Sequence, residues 1–268
     1  MQYKVNGVTL NYESKGRRSW GDDVVLLDHA IDFTMGTAWA HPGYTIEKLF
    51  NDVAGARFYR QAELLILERW RSAGLMVDDN FPLDQYHTLA EDITIHLASI
   101  EKTKLLSTKE FPVEIALLED RVSECVGSPL VVRNPYDGQS VFHFRVIRPG
   151  HQDNNPLHRD VWLEDYDDCI NLYIPIAGSN KHSSLMLIPG SHRWPESRVE
   201  RTEAGAEIGG AKFNVPAVTA IAGSYEVVRP NPGRNEMLVF SPYLVHGGAV
   251  NLNASSTRVS IEIRLWRK

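Results

Sequence analysis

The 268-residue chain contains ten histidines. Most histidines in proteins bind nothing, but three short patterns single out a few of these. The first is His158-Arg159-Asp160. On a strand, residues two apart point to one side, so the pair would present an imidazole and a carboxylate to a single point in space. A second H-x-D occurs at His151-Gln152-Asp153, within a turn cluster that runs from Arg148-Pro149-Gly150 to Asn154-Asn155-Pro156. His158 is instead flanked by Leu157, Val161 and Trp162, which read as strand residues, and a strand fixes a ligand more rigidly than a loop. The 158/160 pair is therefore preferred. His-Arg-Asp also begins a protein-kinase catalytic loop, but that loop needs a metal-binding Asn further along, where this chain has Asp165.

The second pattern is His246, at the end of the apolar stretch from Met237 and followed by Gly247-Gly248. The third is a strict alternation, Arg258-Val259-Ser260-Ile261-Glu262-Ile263-Arg264. It puts Arg258, Ser260, Glu262 and Arg264 on one face and the aliphatic residues on the other. Such a face is either a solvated strand edge or an anion clamp, because a guanidinium is always charged and grips a carboxylate through two parallel bonds. Two histidines and one carboxylate on one side of an iron(II) ion leave positions open for substrate and dioxygen. A following arginine with a hydroxyl partner suits the far carboxylate of a keto-acid that chelates the metal.

The order His158, Asp160, His246, Arg258 resembles the iron(II)/2-oxoglutarate-dependent dioxygenases. Ser184-Leu-Met-Leu-Ile-Pro189-Gly190-Ser191-His192 is similar to the phytanoyl-CoA dioxygenase-like branch, as are Asn171-Leu-Tyr-Ile-Pro-Ile176 and the ending Phe240…His246-Gly247-Gly248…Asn251…Arg258. The resemblance covers about residues 140–266 and does not extend into the first half. It implies a double-stranded β-helix, or jelly roll, with iron at one mouth. It further implies that His158, Asp160 and His246 are the catalytic metal ligands and that Arg258 holds the C5 carboxylate of 2-oxoglutarate. Asn171 would bond the other end of that co-substrate, and Ser260 would help Arg258. His192 is expected to tether a loop. Some members carry a hydroxyl two residues after the second His, where this chain has Gly248. The implied reaction consumes 2-oxoglutarate and O2, oxidises a C–H bond of a small molecule, and releases succinate and CO2. The Asp160 carboxylate argues for hydroxylation or another C–H oxidation over halogenation, since related halogenases lack it. The rivals are a nucleic-acid dealkylase of the same superfamily, which also carries two arginines spaced like Arg258 and Arg264, and a non-catalytic or zinc-binding jelly-roll protein.

Positioning these residues requires a particular frame. Turn residues Asn6-Gly7 between Tyr3, Val5, Val8 and Leu10 predict a hairpin. Apolar periodicity predicts helices over 44–73, 83–104 and 113–126, the first and last stopped by Gly74 and Gly127. From Leu130 the texture changes to short alternating segments, with strands expected at 130–133, 141–148, 157–162, 169–176, 184–188, 224–229, 236–240, 243–250 and 257–266. Residues 190–223 read as an irregular Gly-rich loop. The expected class is α+β with a mainly β core, in one domain over 1–268: a hairpin and helical support over 1–128, packed on one sheet of a jelly-roll core over 129–268.

Composition narrows the partners. Apolar residues are 43% and charged residues 23%, which suits a globular chain and excludes disorder or a collagen-like repeat. The net charge of −6 disfavours generic phosphate binding, so no nucleic acid is expected. Apolar runs such as Val24–Leu27 are far short of the roughly twenty residues a membrane helix needs. The start of the sequence lacks the basic and apolar regions of a signal peptide, so the expected address is the cytoplasm. Two cysteines, Cys125 and Cys169, cannot make a disulfide framework or a four-thiolate zinc site. The candidate rim of a substrate pocket is His143, Arg145, Lys181, Arg193 and Arg229 for charge, and Trp162, Trp194 and Tyr243 for apolar walls.

Overall fold

The structure is a computed structural model that describes every residue except Gln152 and Asn154. The hairpin forms as expected: β1 (Gln2–Val5) pairs antiparallel with β2 (Val8–Asn11) across Asn6-Gly7. Both turn residues have positive φ, 50° and 77°, as a two-residue turn matched to the strand twist demands. Strands β3 (Ser14–Lys15) and β4 (Arg18–Trp20) follow.

The expected helix over 44–73 divides. Tyr44–Lys48 is strand β5, and α1 runs over Asp52–Ser72. Tyr44, Thr45 and Ile46 favour a pleated surface, and Asn51 caps α1 by accepting from the Ala54 N–H at 2.9 Å. The expected helix over 83–104 also divides, into a 3-10 turn at Leu83–Thr88 and α2 (Ile93–Thr103). The cause is tertiary. Arg148 Nη1 donates to the carbonyls of Ala90 and Glu91 at 2.7 and 3.0 Å, which withdraws them from a helical ladder. Asp92 then caps the restart through the Thr94 N–H at 2.6 Å. After β6 (Leu106–Ser107), α3 (Ile115–Val126) ends on Gly127 in the left-handed region, as expected.

The second half supplies β7 (Leu130–Val131), β8 (Val141–Ile147), β9 (Cys169–Ala177) and β10 (Met186–Leu187). Residues 157–162 are not a strand: His158 makes an isolated bridge with His246, and Asp160–Trp162 turns as a 3-10 helix. Residues 190–223, expected to be irregular, contain β11 (Val199–Thr202), β12 (Ala206–Ile208), β13 (Ala211–Phe213) and β14 (Val218–Ile221). Their partners include β4 and β3, almost two hundred residues away in the chain, so no local pattern announces them. β15 (Glu236–Phe240), β16 (His246–Gly247) and β17 (Arg258–Arg267) complete the set. The expected strand at 224–229 shrinks to a bridge at Val228, and that at 243–250 to β16.

One large antiparallel sheet runs β5-β15-β9-β17-β8-β6, with β7 also pairing β17. Four small sheets, β1-β2, β10-β16, β14-β11-β4 and β13-β12-β3, complete the β structure among the described residues, and the architecture is that of a double-stranded β-helix. The outer face of the large sheet buries Leu172, Ile174, Ile261 and Ile263 in one apolar cluster with Phe58, Ile66 and Trp70 of α1. Each such side chain contributes roughly 1.5–3 kcal/mol when taken out of water. Alternation along β17 and β9 then turns Arg258, Ser260, Glu262, Arg264, Asn171 and Tyr173 to the opposite, inner face. The first half is more than helical support: β3, β4 and β5 are built into the sheets. Among the described residues no helix is long and apolar enough to cross a membrane.

Candidate metal centre

The bridge between His158 and His246 is reciprocal. His158 N–H donates to the His246 carbonyl at 2.8 Å, and His246 N–H donates to the His158 carbonyl at 2.9 Å. The two backbones are thereby locked side by side, with ring centroids 4.5 Å apart. Each ring is oriented by its own chain. Nδ1 of His158 lies 2.8 Å from the Pro156 carbonyl, and Nδ1 of His246 lies 2.9 Å from the Leu244 carbonyl. A carbonyl only accepts, so both Nδ1 atoms carry the proton and both Nε2 lone pairs are left to face inward. Burial, and then the neighbouring His158 ring, push the His246 imidazole down to about 4, so it is a neutral donor.

Asp160 supplies the third donor. Its Oδ1 lies 3.2 Å from His158 Nε2 and 3.6 Å from His246 Nε2. Its Oδ2 accepts from Arg264 Nη2 at 2.7 Å, Arg264 Nε at 3.1 Å and Asn171 Nδ2 at 2.9 Å. Burial alone would raise this carboxyl. The Arg264 guanidinium outweighs it and holds the group well below the usual carboxylate range. The 3-10 turn, and not a strand, aims Asp160: its N–H donates to the Pro242 carbonyl at 3.1 Å and its carbonyl accepts from the Leu163 N–H at 2.9 Å.

The three donor atoms lie within 4.8 Å of one another, and among the described residues this is the one group of three or more His, Cys, Asp or Glu placed to hold an ion. Metal–ligand bonds of about 2.1 Å put adjacent donors on one face about 3.0 Å apart, and the two Nε2 contacts to Asp160 Oδ1, at 3.2 and 3.6 Å, approach that spacing. Two imidazoles and one carboxylate on one side match the facial set of non-haem iron(II) sites. The residues fit the metal.

The P-G-S-H segment is explained by what it ties together. Ser191 Oγ donates to the Ile188 carbonyl at 2.7 Å and accepts from the Val245 N–H at 2.8 Å, next to His246. Its carbonyl accepts from Arg159 Nη2 at 2.8 Å, between the other two donors. Gly190 permits the turn with φ 75°. His192 is a tether: its Nε2 donates to the Ala40 carbonyl at 3.0 Å, and its ring occupies the place a Cβ on Gly43 would take.

A cavity of about 580 Å3, including the space at its mouth, opens beside the donors and is lined by Arg145, Phe240, Arg258 and Glu262 among others. Arg258 is 2% exposed. Nη1 of Arg258 donates to the Ser183 carbonyl at 3.3 Å, its guanidinium lies 5.4 Å from the Tyr173 ring, and its Nε has no partner among the described residues. The nearby Ser260 Oγ is likewise buried and unpartnered there. These free donors sit where the sequence places an anion clamp. Gly248 has φ +54°, and a Cβ there would stand 2.9 Å from the Tyr3 hydroxyl, so the side chain missing at 248 could not be added without moving Tyr3.

Several expectations about other residues are corrected. Asn171 gives its N–H to Asp160, and its remaining Oδ1 is unpartnered. Asn171 therefore orients the Asp160 carboxylate, and one N–H of its amide remains beyond that bond. Of the expected rim, Arg145 lines the cavity; His143, Lys181, Arg193, Arg229, Trp162, Trp194 and Tyr243 do not. His143 Nδ1 accepts from the Leu105 N–H at 3.0 Å, Arg193 pairs with Asp32 at 2.6 Å, and Arg229 donates to the Ser184 and Val250 carbonyls. The other H-x-D is structural: Asp153 pairs with Arg148 at 2.8 Å and with His96 at 3.4 Å. Arg264 is the residue whose partner the sequence concealed. The alternation put it on the right face, but only the fold reveals that its partner is Asp160. Cys169 is buried, and burial raises its thiol, which makes it inert.

Residues 85–259 match the family model of phytanoyl-CoA dioxygenase (PhyH). No curated protein matches the chain. Among solved structures, the non-heme monooxygenase ThoJ, in its apo form, has the same fold at TM-score 0.53 and 12% identity, covering 88% of this chain and 77% of that one. AviO1 from Streptomyces viridochromogenes Tue57 aligns at TM-score 0.48 and 20% identity, over 85% of this chain and 91% of its own. EctD from S. alaskensis, with 2-oxoglutarate and 5-hydroxyectoine, aligns at 0.48 and 16%, over 96% and 86%. The chain thus belongs to the phytanoyl-CoA dioxygenase family of iron(II)- and 2-oxoglutarate-dependent oxygenases.

Proposed function

We propose that this protein hydroxylates, or otherwise oxidises, an aliphatic C–H bond of a small molecule, with conversion of 2-oxoglutarate to succinate and CO2. The observation that carries the reading is the convergence of His158 Nε2, His246 Nε2 and Asp160 Oδ1. In this reading those three atoms hold iron(II), and Arg258 receives the C5 carboxylate of 2-oxoglutarate, with Ser260 beside it. Bound iron supplies the oxidising power, using dioxygen and the keto-acid as co-substrates.

The chain's own residues bind and orient. The Nδ1–H bonds to Pro156 and Leu244 keep both imidazoles in the metal-binding tautomer. The Arg258 guanidinium sets the depth and direction of the keto-acid through a charge-assisted pair. Phe240, 4.9 Å from the His246 ring, shields the metal-facing wall from water. Arg145 and Glu262, paired at 2.8 Å, form part of the polar wall of the cavity.

The test is substrate-stimulated succinate release, with iron(II) and ascorbate, in the wild type and in His158→Ala and Asp160→Ala. Release must depend on iron and fall to background in both variants. Release that persists in either variant, or that zinc sustains, removes the assignment.

A further inference from the structure

We propose that Arg264 is a positioning residue that makes Asp160 a one-oxygen ligand and so keeps the reacting face of the metal centre open; this rests on the reading of His158, Asp160 and His246 as the metal ligands. A free carboxylate can bind a metal through one oxygen or through both. In this site the choice is made before any metal arrives. Oδ2 of Asp160 receives three N–H groups, two from Arg264 and one from Asn171, at 2.7, 3.1 and 2.9 Å. An oxygen with two lone pairs is saturated by that set. Only Oδ1 faces the imidazole Nε2 atoms. A chelating carboxylate would occupy a coordination position that the keto-acid or dioxygen needs.

The arrangement is rigid. Arg264 and Asn171 are direct partners in the β17–β9 register, so both donors arrive from one rung of the sheet. The outer side of the guanidinium lies over the Tyr166 ring, 4.4 Å from its centroid. A planar fork can send Nε and Nη2 to one oxygen together, which the single ammonium of lysine cannot reproduce. The charge is permanent, so the restraint does not lapse with pH.

The experiment uses the full-length, metal-free protein. Mn(II) affinity is read from the free-ion resonance signal, and Co(II) binding from its visible absorption. Arg264→Met is expected to weaken Mn(II) binding by about tenfold or more, as loss of a partner to a metal ligand typically does. The Co(II) absorption band is expected to shift as Oδ2 becomes free to coordinate. Arg264→Lys should fall between the two, and added methylguanidinium should restore the wild-type Co(II) band in Arg264→Gly. Affinity within about twofold of wild type in the Met or Lys variant, with an unaltered Co(II) band, overturns the inference. If the Met variant does not fold, the Lys variant decides. His158→Ala separates the two levels. Unchanged metal binding in that variant sinks the metal site itself. Lost binding there, alongside unaltered Arg264 variants, sinks only the role of Arg264.

Discussion

Arg258→Met tests the co-substrate site with two signals of opposite sign. In the metal-free protein Arg258 is a buried cation with an Nε that finds no partner among the described residues. A buried unsatisfied donor costs roughly 1–3 kcal/mol, and methionine has similar length without that cost. The ligand-free variant is therefore expected to melt no lower than the wild type, and up to a few degrees higher. Toward 2-oxoglutarate the effect reverses. Losing the charge-assisted bonds to the C5 carboxylate costs about 3 kcal/mol, close to a hundredfold in Kd. With Mn(II) present and 2-oxoglutarate at about a hundred times the wild-type Kd, the wild type gains about 2.7 kcal/mol by mass action. For a chain of this size that is about 5 °C in Tm. The variant, then near its own Kd, gains about 0.4 kcal/mol, or less than about 1 °C. A thermal melt with and without the keto-acid reads both signals. A variant that keeps the 5 °C response, or that is destabilised without ligand, refutes the reasoning.

Two further outcomes are expected. Gly247→Ala touches no ligand atom, yet its Cβ would stand 2.4 Å from the Pro156 carbonyl and 2.9 Å from His158 Nδ1, at φ +104°; Mn(II) affinity should drop at least as far as in a variant of a residue bonded to a ligand, about tenfold, and an affinity equal to wild type refutes the packing argument. Glu262 feels burial, which raises it, but Arg145, Arg258 and Arg264 bring it down to about 2. A carboxyl depressed on folding stabilises above its unfolded value and loses that stabilisation as pH falls toward the folded one. Glu262→Gln should therefore cost on the order of 3 kcal/mol at pH 7 and progressively less between pH 4.5 and about 2. Denaturant melts at pH 7 and pH 3 that differ from wild type by the same amount refute it.

The parts of this fold that were legible in the sequence are those carried by local chemistry. Asn6-Gly7 dictates its turn, Gly127 ends α3, and the alternation of β17 sorts polar from aliphatic residues without any knowledge of its neighbours. The donor triad was legible from its short H-x-D and His-Gly-Gly patterns, although the strand expected to aim His158 and Asp160 is a bridge followed by a 3-10 turn. What stayed hidden depends on distant partners. The break near Ala90 exists because Arg148 captures two carbonyls from across the fold. Strands β11 and β12 exist because β4 and β3 lie against them. The partner of Arg264 is a carboxylate 104 residues away, and the bond from Asn171 to that same carboxylate was equally hidden.

The position of β17 in the large sheet bears on how the chain reaches this state. It pairs with β7, β8 and β9, and it follows all three in order of synthesis. Until it emerges, β8 and β9 present unpaired edges in a partly made molecule, the condition that invites strand addition between nascent chains. Closure over such separations is slow. Assembly of the large sheet must therefore wait for β17, and the strand that completes it delivers Arg258 and Arg264 to the cavity in the same event.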